Sequence, residues 1–567
     1  MLAFAALSWL SSFVRYRADL TAEKRFSLSN PTVDLLNNLD TPVTIHVFLS
    51  GELPSDYKKL SNATEDMLQQ MRDVSRNNVR YIFEKPGEGL PDSSRDQLYD
   101  SLSKMGVVIE NTEAVSSSKG KATTQVIFPA ALVYYKNARP LAVDLRSSRK
   151  IFKPFNVLNQ EPQEDAEATR NAAEALLEFK FSSAIEKLSR KTVPSIAYLI
   201  GNGEPGPQHV ADLIQSLRNE YRLGIFDLKQ SFPQPDQVNA LLIVKPTQPF
   251  TQEDKLKIDQ YVMHGGKVLW FVDKLYAELD SLMHNQNGFV AFDRNLNLDD
   301  ILFRYGVRIN GDLLQDLNCA KIPLVYGQNP DGSPKMQRHP WPYYPFLTAP
   351  NNNGIAKNLE RVLPIFPSSL DTVKAEGIKK TLLLTTDTNT RTLRSPAMVT
   401  VNGGVKDEAD FQTFNKSHVP VAVLLEGKFS SLFTNRLTAD LQDSLQKQSG
   451  MPFVASSKQT AQIVSSDADL VTNAISETEG PLPMGMIPFE NYRFGNREFF
   501  LNCVDYLIGN SGIFQTRNKE YTLRLLDKQK VETQKLLWQW INVAGPVLIV
   551  LIFGMIFLWR RRQQYGV

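Results

Sequence analysis

Cysteine, histidine and net charge are all scarce in this chain of 567 residues, and each scarcity excludes a class of protein. The 63 Lys and Arg residues nearly balance the 61 Asp and Glu residues, which leaves a formal net charge of +2. This near-equality of positive and negative charge excludes the global electrostatic attraction that is typical of nucleic-acid-binding proteins. The two cysteines, Cys319 and Cys503, lie far apart in apolar sequence, which favours two buried thiols over a disulfide.

Motifs for nucleotide hydrolysis, metal binding and nucleophilic catalysis are missing as well. The sequence contains no G-x-x-x-x-G-K-[ST] phosphate loop, no H-E-x-x-H and no G-x-S-x-G, so it lacks the local arrangements that these chemistries use. The six histidines are scattered at spacings that form no obvious metal site. The chain is therefore predicted to be no enzyme, to hold no metal or cofactor, and not to hydrolyse ATP itself.

A long apolar run is present only at the end of the chain, where the mean hydropathy of −0.26 conceals it. Leu536–Trp559 contains 24 residues without a formal charge. As a helix at ~1.5 Å per residue it is about 36 Å long, enough to cross a hydrocarbon core of about 30 Å. The run is predicted to be a transmembrane helix. Its predicted membrane-interface residues are Trp538, Trp540, Trp559, Arg560, Arg561 and Arg562.

A second, shorter apolar stretch starts the sequence. Met1–Val14 has no charge but spans only about 21 Å as a helix, and it lacks the basic residues of a cleavable signal peptide. We interpret it as a short signal anchor or as the C-terminal half of a longer one. Simple counting of the positive charges near the C-terminal run would leave the large domain in the cytoplasm, whereas two anchors would put residues 18–535 outside.

The polar remainder of the chain alternates between predicted strands and helices. Residues 42–51 and 79–86 are rich in β-branched and aromatic residues, and a helix with one apolar face is predicted at 57–76, which makes a βαβ unit. Further strands are predicted at 106–110, 124–135 and 138–145. The segment 112–123 is predicted to be a hairpin loop or flexible insert, and the Ala- and Glu-rich stretch 160–191 a helical bridge.

A second α/β domain follows, and its strands are more continuously apolar. NALLIVKP (239–246) is nearly uninterrupted Leu, Ile and Val, as expected of a strand buried on both faces. Strand–helix alternation with short loops over 192–275 predicts a doubly wound parallel sheet with helices on both faces. Beyond residue 295 the pattern loosens, with strands predicted at 380–386, 419–425 and 460–465 and a helix at 496–508.

The best candidate for a ligand site is the glycine-rich loop after the strand at 192–201. Gly201 and Gly203 would let a ligand approach backbone N–H groups, and Glu204 could accept hydrogen bonds from sugar hydroxyls. Asp273 ends another predicted strand at the same edge, where doubly wound sheets bind ligands. The alternative interpretation is a plain strand-to-helix turn, with Glu204 near a helix N-terminus and Asp273 as a helix cap.

Two further segments have two interpretations each. The aromatic stretch 339–346 is predicted to be an extended loop, and Trp341–Phe346 either form a partner surface or fill a gap in the core. The amphipathic stretch 517–535 suits a helix against lipid headgroups or a partner subunit, and equally an ordinary stalk helix.

Several stretches together resemble the GldG family, the auxiliary component of the gliding-motility ABC transporter of Bacteroidetes. They are RADLTAEKRFSLS (17–29), TPVTIHVFLSGELP (41–54), IAYLIGNGEPG (196–206), IDQYVMHGGKVLWFVD (258–273) and LLDKQKVETQKLLWQWINVAGPVLIVLIFGMIFLWRRRQQYG (525–566). The resemblance implies an α/β domain similar to class I glutamine amidotransferase folds, without the catalytic cysteine. It also implies membrane anchoring at both ends and separate permease and ATPase subunits as partners. Members often carry His where this chain has Asn202.

Residues and resemblance together predict a multi-domain α/β ectodomain followed by a transmembrane helix. The predicted parts are an N-terminal membrane anchor at 1–16, an N-terminal α/β domain at 17–155, a helical bridge at 156–191, an amidotransferase-like α/β domain at 192–510, a juxtamembrane helix at 511–535, a transmembrane helix at 536–559 and a cytoplasmic tail at 560–567.

The predicted function is that of a non-enzymatic auxiliary subunit of an ABC transporter in the bacterial inner membrane, with its large domain in the periplasm. Its predicted partners are permease and ATPase subunits, membrane lipid and a small-molecule or glycan ligand, with no nucleic acid. The alternative is a glycan-binding or glycan-processing domain that uses the Gly201–Glu204 loop.

Overall fold

The computed structural model describes residues 27–115, 122–151, 164–278, 288–350, 353–400, 407–476, 478–489, 492–509, 512–518 and 528–566. Its internal contacts divide the chain into two units, Met1–Glu520 and Tyr521–Val567. The predicted anchor at 1–16 lies outside the described residues, as does most of the predicted juxtamembrane helix.

The first unit begins with a region built around a four-stranded sheet. Its elements are α1 (Asn30–Asn37), β1 (Val43–Val47), α2 (Ser55–Val74), β2 (Val79–Phe83), α3 (Asp92–Lys104), β3 (Glu110–Val115), β4 (Ala122–Ile127), β5 (Ala130–Tyr135), β6 (Leu141–Asp144) and α4 (Ala166–Ser189). In β1, Val43, Ile45 and Val47 are buried and the residues between them are half-buried, because successive strand side chains point to opposite faces.

The predicted βαβ unit is confirmed, since β1 and β2 pair in parallel and α2 connects them. Strands β5 and β6 extend the sheet antiparallel, in the order β2-β1-β5-β6. The strand predicted at 106–110 begins only at Glu110, and it pairs with β4 in a separate hairpin. Residues 116–121 of the predicted loop lie outside the described residues.

Helix α4, within the predicted bridge, is part of the core of this first sheet. Its start is capped by Asp165, whose side chain accepts a hydrogen bond from the Ala168 N–H at 3.0 Å, which satisfies one of the free N–H groups of the first turn. Leu177, Phe181 and Ile185 are buried in the same apolar cluster as β1 and α2.

The rest of the first unit holds the larger sheet and several small ones. Its elements are β7 (Ser195–Ile200), a 3₁₀ turn (Pro207–Val210), α5 (Ala211–Arg218), β8 (Arg222–Asp227), β9 (Ala240–Val244), α6 (Gln252–Met263), β10 (Lys267–Phe271), β11 (Leu275–Tyr276), β12 (Phe289–Asp293), α7 (Asp299–Tyr305), β13 (Val307–Ile309), β14 (Asp312–Asp316), β15 (Cys319–Gln328), β16 (Pro334–Pro345), β17 (Leu370–Thr372), β18 (Ile378–Thr385), β19 (Thr390–Arg394), β20 (Ala397–Val399), α8 (Glu408–Gln412), β21 (Pro420–Ser430), α9 (Ala439–Ser449), β22 (Ser456–Ser465), β23 (Ile475–Ser476), β24 (Gly480–Pro481), α10 (Asn496–Ile508) and a 3₁₀ helix (Ile513–Asn518).

Seven strands form the larger sheet, in the order β18-β21-β22-β10-β9-β7-β8. The five strands from β22 to β8 are parallel, whereas β21 runs antiparallel to both of its neighbours. The sheet is therefore mixed, where the sequence predicted a parallel one. Numbered along the chain, the five parallel strands lie in the order 2-1-3-4-5, so the order reverses between β7 and β9.

Both faces of this sheet are buried. Leu242 and Val244 of β9 belong to the apolar cluster that contains α5 and α10, while Leu241 and Ile243 belong to the opposite cluster with α6 and α7. All of β9 is inaccessible to solvent, as its continuous apolar sequence predicts.

Residues 339–345 of the aromatic stretch lie in strand β16 and not in a loop, and Phe346 follows the strand directly. Trp341 is 1% exposed and its ring lies 5.4 Å from that of Phe366, within a cluster that also buries Tyr343 and Tyr344. Of the two interpretations of these aromatics, the structure supports core filling.

The second unit contains the helix α11 (Lys528–Tyr565). Within it, Thr533–Gln564 is long and apolar enough to cross a membrane. Pro546 lies in the interior of this helix, where its missing N–H leaves one backbone carbonyl without its helical hydrogen bond. Trp538, Trp540 and Trp559 are exposed along it. A mixed α/β protein with one C-terminal candidate membrane helix is thus established.

Candidate functional site

The glycine-rich loop Gly201–Glu204 joins the end of β7 to the turn before α5. Gly201 and Gly203 adopt φ values of +121° and +77°, which glycine enters without steric cost. A Cβ atom on Gly203 would lie 2.2 Å from Thr247 Oγ1, so the close packing of the loop also demands glycine there. The loop lies tightly against the segment that follows β9.

Asn202 fastens this loop to its neighbour. The side chain is fully buried, and its backbone carbonyl accepts hydrogen bonds from the N–H groups of Thr247 and Gln248, each at 2.9 Å. Its Nδ2 donates to the Pro249 carbonyl at 3.3 Å. These bonds join the loop after β7 to the segment after β9, at the point where the strand order reverses. In sheets of this kind, ligands usually bind in the crevice at that point.

Glu204 is turned toward its own loop. One carboxylate oxygen accepts the Asn202 backbone N–H at 2.8 Å, and the other is buried without a hydrogen-bond partner in the described part of the chain. Burial raises the pKa of Glu204, although backbone hydrogen bonds oppose the rise. This geometry is that of a strand-to-helix turn stabilised by its own carboxylate.

Asp273 belongs to a different group of charges at the same sheet edge. We name this group the Lys245 cluster; its members are Lys245, Asp273, Glu278, Arg294 and Asp469. Lys245 Nζ lies 2.7 Å from Asp469 Oδ1, 3.1 Å from Glu278 Oε2 and 3.5 Å from Asp273 Oδ2. Arg294 Nη2 pairs with Glu278 Oε1 at 2.5 Å. Lys245, Asp273 and Asp469 follow β9, β10 and β22, so neighbouring parallel strands bring them together.

Electrostatics inside the Lys245 cluster are strongly coupled. Burial acts to lower the pKa of Lys245, but the carboxylates, Asp469 most strongly, hold it well above its ordinary value. Burial raises the pKa of Asp273 to about 7, with Asp469 and Glu278 adding to the rise and Lys245 opposing it. Asp273 Oδ1 also accepts the Ala468 N–H at 2.6 Å. Because these charges partner one another, the cluster joins the ends of three strands.

Glu204 and Asp273 are not brought together as a catalytic pair. They follow β7 and β10, and β9 lies between those strands. Two strand spacings separate the strand ends by roughly 10 Å. That is wider than the spacing of about 5–5.5 Å in a retaining glycosidase pair and just beyond the spacing of about 6.5–9.5 Å in an inverting pair. In addition, each carboxylate is engaged with a different part of the chain.

A polar groove beside the Lys245 cluster was not predicted from the sequence. Two cavities, of about 630 and 770 Å³, share Arg308, Asn310 and Gly311 in their walls. Arg304 and Arg436 add positive charge to the smaller of these two cavities, near the exposed Phe303. No local sequence motif predicts this groove. Its residues come from elements that lie apart in the sequence, among them α7, β13 and the segment between β21 and α9.

The described residues hold no group of three or more His, Cys, Asp or Glu side chains that could bind a metal ion. Both cysteines are free thiols, as predicted, but only Cys503 is buried and Cys319 is half-buried. Burial raises the pKa of Cys319 to about 12 and that of Cys503 well above its ordinary value. Neither thiol is therefore activated as a nucleophile.

Comparisons with known proteins identify two family models. Residues 193–503 match the model described as ABC-type uncharacterized transport system, and residues 22–134 match a domain of unknown function (DUF7088). No curated protein matches the chain.

Solved structures resemble the chain only weakly. The mmIFT52 N-terminal domain is 11% identical, with a TM-score of 0.31 over 56% of this chain and 98% of that one. The exo-beta-1,4-mannosidase Op5Man5 from Opitutaceae bacterium strain TAV5 is 9% identical, with a TM-score of 0.21 over 76% of this chain and 48% of that one. At these scores neither likeness bears on the fold or the function.

Proposed function

The chain belongs to the ABC-type uncharacterized transport system family, and from that membership we propose that it is a non-enzymatic, membrane-anchored auxiliary subunit of an ABC transporter. The family match carries the proposal: it spans residues 193–503, more than half of the chain, and includes the whole seven-stranded sheet. The candidate membrane helix Thr533–Gln564 supports the anchoring.

We assign the subunit more narrowly to a gliding-motility transporter of the GldG type. The five stretches quoted above support this assignment, the tail 525–566 among them. Because the sequence has no phosphate loop, a separate ATPase subunit would bind and hydrolyse nucleotide. A permease subunit would form the transport path, since the single candidate span among the described residues cannot enclose one.

In this proposal the large domain lies in the periplasm and the tail 560–567 in the cytoplasm. The predicted domain division is retained, with a doubly wound, amidotransferase-like domain at 192–510. The order of its five parallel strands and the helices on both faces support that fold. The six predicted interface residues would flank the hydrocarbon core, with tryptophans at the headgroups and Arg560–Arg562 on the cytoplasmic side.

A role without turnover is supported by the state of the predicted site. Gly201–Glu204 is packed as a turn, and Asp273 is engaged by Lys245 and the Ala468 N–H. A catalytic acid or base needs a carboxyl group that can reach the reacting atoms, and neither side chain offers one.

Detergent co-purification with mass spectrometry tests the subunit assignment. Tagged full-length chain should recover an ATPase and a permease in reproducible ratio. A chain ending at residue 532 is the control, because it lacks the candidate span. Reproducible absence of both partners from the full-length preparation would contradict the proposal.

Topology is tested separately with reporter fusions after Asp144 and after Val567. The proposal expects a periplasmic signal from the first position and a cytoplasmic signal from the second. A cytoplasmic signal from the first position would overturn the periplasmic placement while leaving the family membership untouched.

A further inference from the structure

A smaller cavity of about 200 Å³ lies within the first unit, between the N-terminal sheet and α10. We name it the junction cavity. Its walls come from β6, α4, α10 and the 3₁₀ helix Ile513–Asn518, and Leu176, Phe179 and Leu501 form an apolar side. It is smaller than the roughly 300–1,000 Å³ of drug-sized sites, so only a small metabolite fits.

Some of the charges that line this cavity neutralise one another. Lys187 pairs with Asp505 at 2.7 Å and also contacts Glu220. Arg146 pairs with Asp144 at 2.8 Å. These pairs meet the requirement that buried ions be matched by opposite charge, and they leave little capacity for a ligand.

Arg517 is not matched in this way. Its side chain is 2% exposed, Nη2 donates to the Lys357 carbonyl at 3.0 Å, and the guanidinium lies 4.7 Å from the centre of the Phe179 ring. Its Nε–H is buried without a partner in the described part of the chain. A buried charged donor without an acceptor is costly, and here it lines a cavity that could admit one.

Glu498 lines the same cavity; its side chain is exposed to solvent, and no hydrogen bond or ion pair joins it to another described residue. Partial desolvation by the cavity walls raises the pKa of this carboxyl, while the positive charges of Lys180 and Arg517 oppose the rise. Lys180 is itself satisfied only by carbonyl oxygens, those of Asp144 at 2.7 Å and of Arg146. The cavity thus presents an unused donor and a carboxylate without an ion pair, while its four basic and four acidic side chains balance one another.

We propose that the junction cavity binds a small zwitterion with an apolar body, of the free amino-acid class. Its carboxylate would accept the hydrogen bond of Arg517 Nε and face Lys180, its ammonium group would donate to Glu498, and its apolar part would contact Leu176 and Phe179. This inference goes beyond the role as a transporter subunit, since that role requires no ligand at this junction.

The test is calorimetric titration of the full-length chain in detergent with L-leucine, L-methionine and L-alanine. At least one should bind saturably. Two analogues dissect the recognition of leucine: 4-methylpentanoate lacks the ammonium group and isoamylamine lacks the carboxylate. If leucine binds, each analogue should bind at least tenfold more weakly, because each loses one charge-assisted interaction. For another binder, the matching deaminated and decarboxylated analogues serve.

Variants tie the binding to the cavity. Glu498→Gln and Arg517→Lys should each weaken binding at least tenfold, whereas Glu376→Gln, an exposed position outside the cavity, should leave it unchanged. Glu498 is exposed and has no hydrogen-bond or ion-pair partner among the described residues, so its variant keeps the test valid even if Arg517→Lys misfolds. Absence of saturable binding, equal binding of the analogues, or unchanged binding by Glu498→Gln would each overturn the proposal. Co-purification of transporter subunits would be unaffected by any of these results.

Discussion

The Lys245 cluster and the junction cavity both gather charged side chains from distant parts of the chain, but they differ in pairing. Every charge of the Lys245 cluster has an opposite charge within 3.5 Å. In the junction cavity, Arg517 Nε and the Glu498 carboxylate have no such partner among the described residues. Since desolvated ions must be compensated, the paired group suits a structural role, and the buried, unpaired Nε–H of Arg517 suits a ligand.

Lys245→Met should destabilise the protein most strongly, because it removes the central positive charge of the paired Lys245 cluster. Three carboxylates would lose their shared ammonium group, and we expect about 3–5 kcal/mol less free energy of unfolding. Urea unfolding of the full-length chain in detergent, followed by tryptophan fluorescence, measures this. Lys136→Met is the matched control, because Lys136 pairs with Asp40 at the surface. An equal shift of the urea unfolding midpoint in both variants would contradict a structural role for the cluster.

Gly203→Ala tests whether the neighbouring loop is a packed turn or an open ligand site. The new Cβ would lie 2.2 Å from Thr247 Oγ1 at a φ of +77°, so we expect a loss of about 2–3 kcal/mol. Gly206→Ala is the control in the same loop, since nothing lies within 4 Å of its Cβ position. The same urea titration applies. Unchanged stability in both variants would contradict a tightly packed turn and indicate that the loop has room for a side chain at residue 203.

Asp273→Asn tests the shared proton of the Lys245 cluster. Because the pKa of Asp273 is about 7 in the folded chain and 3.8 ordinarily, the folded state binds the extra proton between these values. Wild-type stability should therefore fall as pH rises from 5 to 8, by on the order of 2 kcal/mol more than in the variant. Parallel pH profiles for the two proteins would show that Asp273 is ionised throughout.

Glu498→Gln should have the smallest effect on stability of the variants considered. It tests the unpaired carboxylate of the junction cavity against the paired Lys245 cluster. The exposed carboxylate has no hydrogen bond or ion pair with a described residue to lose, so we expect a change within about 1 kcal/mol. Glu278→Gln, which loses its charge beside Lys245 and Arg294, should cost clearly more in the same assay. A reversed order would mean that Glu498 holds the junction together.

Local elements of the fold were predictable because their signals lie in adjacent residues. The helix at 496–508 was predicted with its observed bounds, and the strand at 239–246 contains β9. The direction of β21 was not predictable, because a strand's own sequence does not state which neighbours it pairs with. The burial of Trp341 was likewise open, since an aromatic run suits a core and a surface equally.

The candidate site shows the same division. Its glycines and Asp273 could be read from strand ends, but the partners of Lys245 could not. Glu278 lies 33 positions away and Asp469 lies 224 positions away, so no spacing rule connects them. From the sequence, Asn202 stood out only because members of the similar family often carry His at this position. In the structure, its backbone carbonyl and side-chain amide form the hydrogen bonds that close the crevice.

The sequence by itself determined the apolar C-terminal run, the missing phosphate loop and the strand–helix alternation of the larger sheet, because each depends on neighbouring residues and their periodicity. Only the tertiary structure decided which charges are paired. Pairing depends on distances between groups far apart in sequence, and those distances exist only once parallel strands and packed helices bring their ends together.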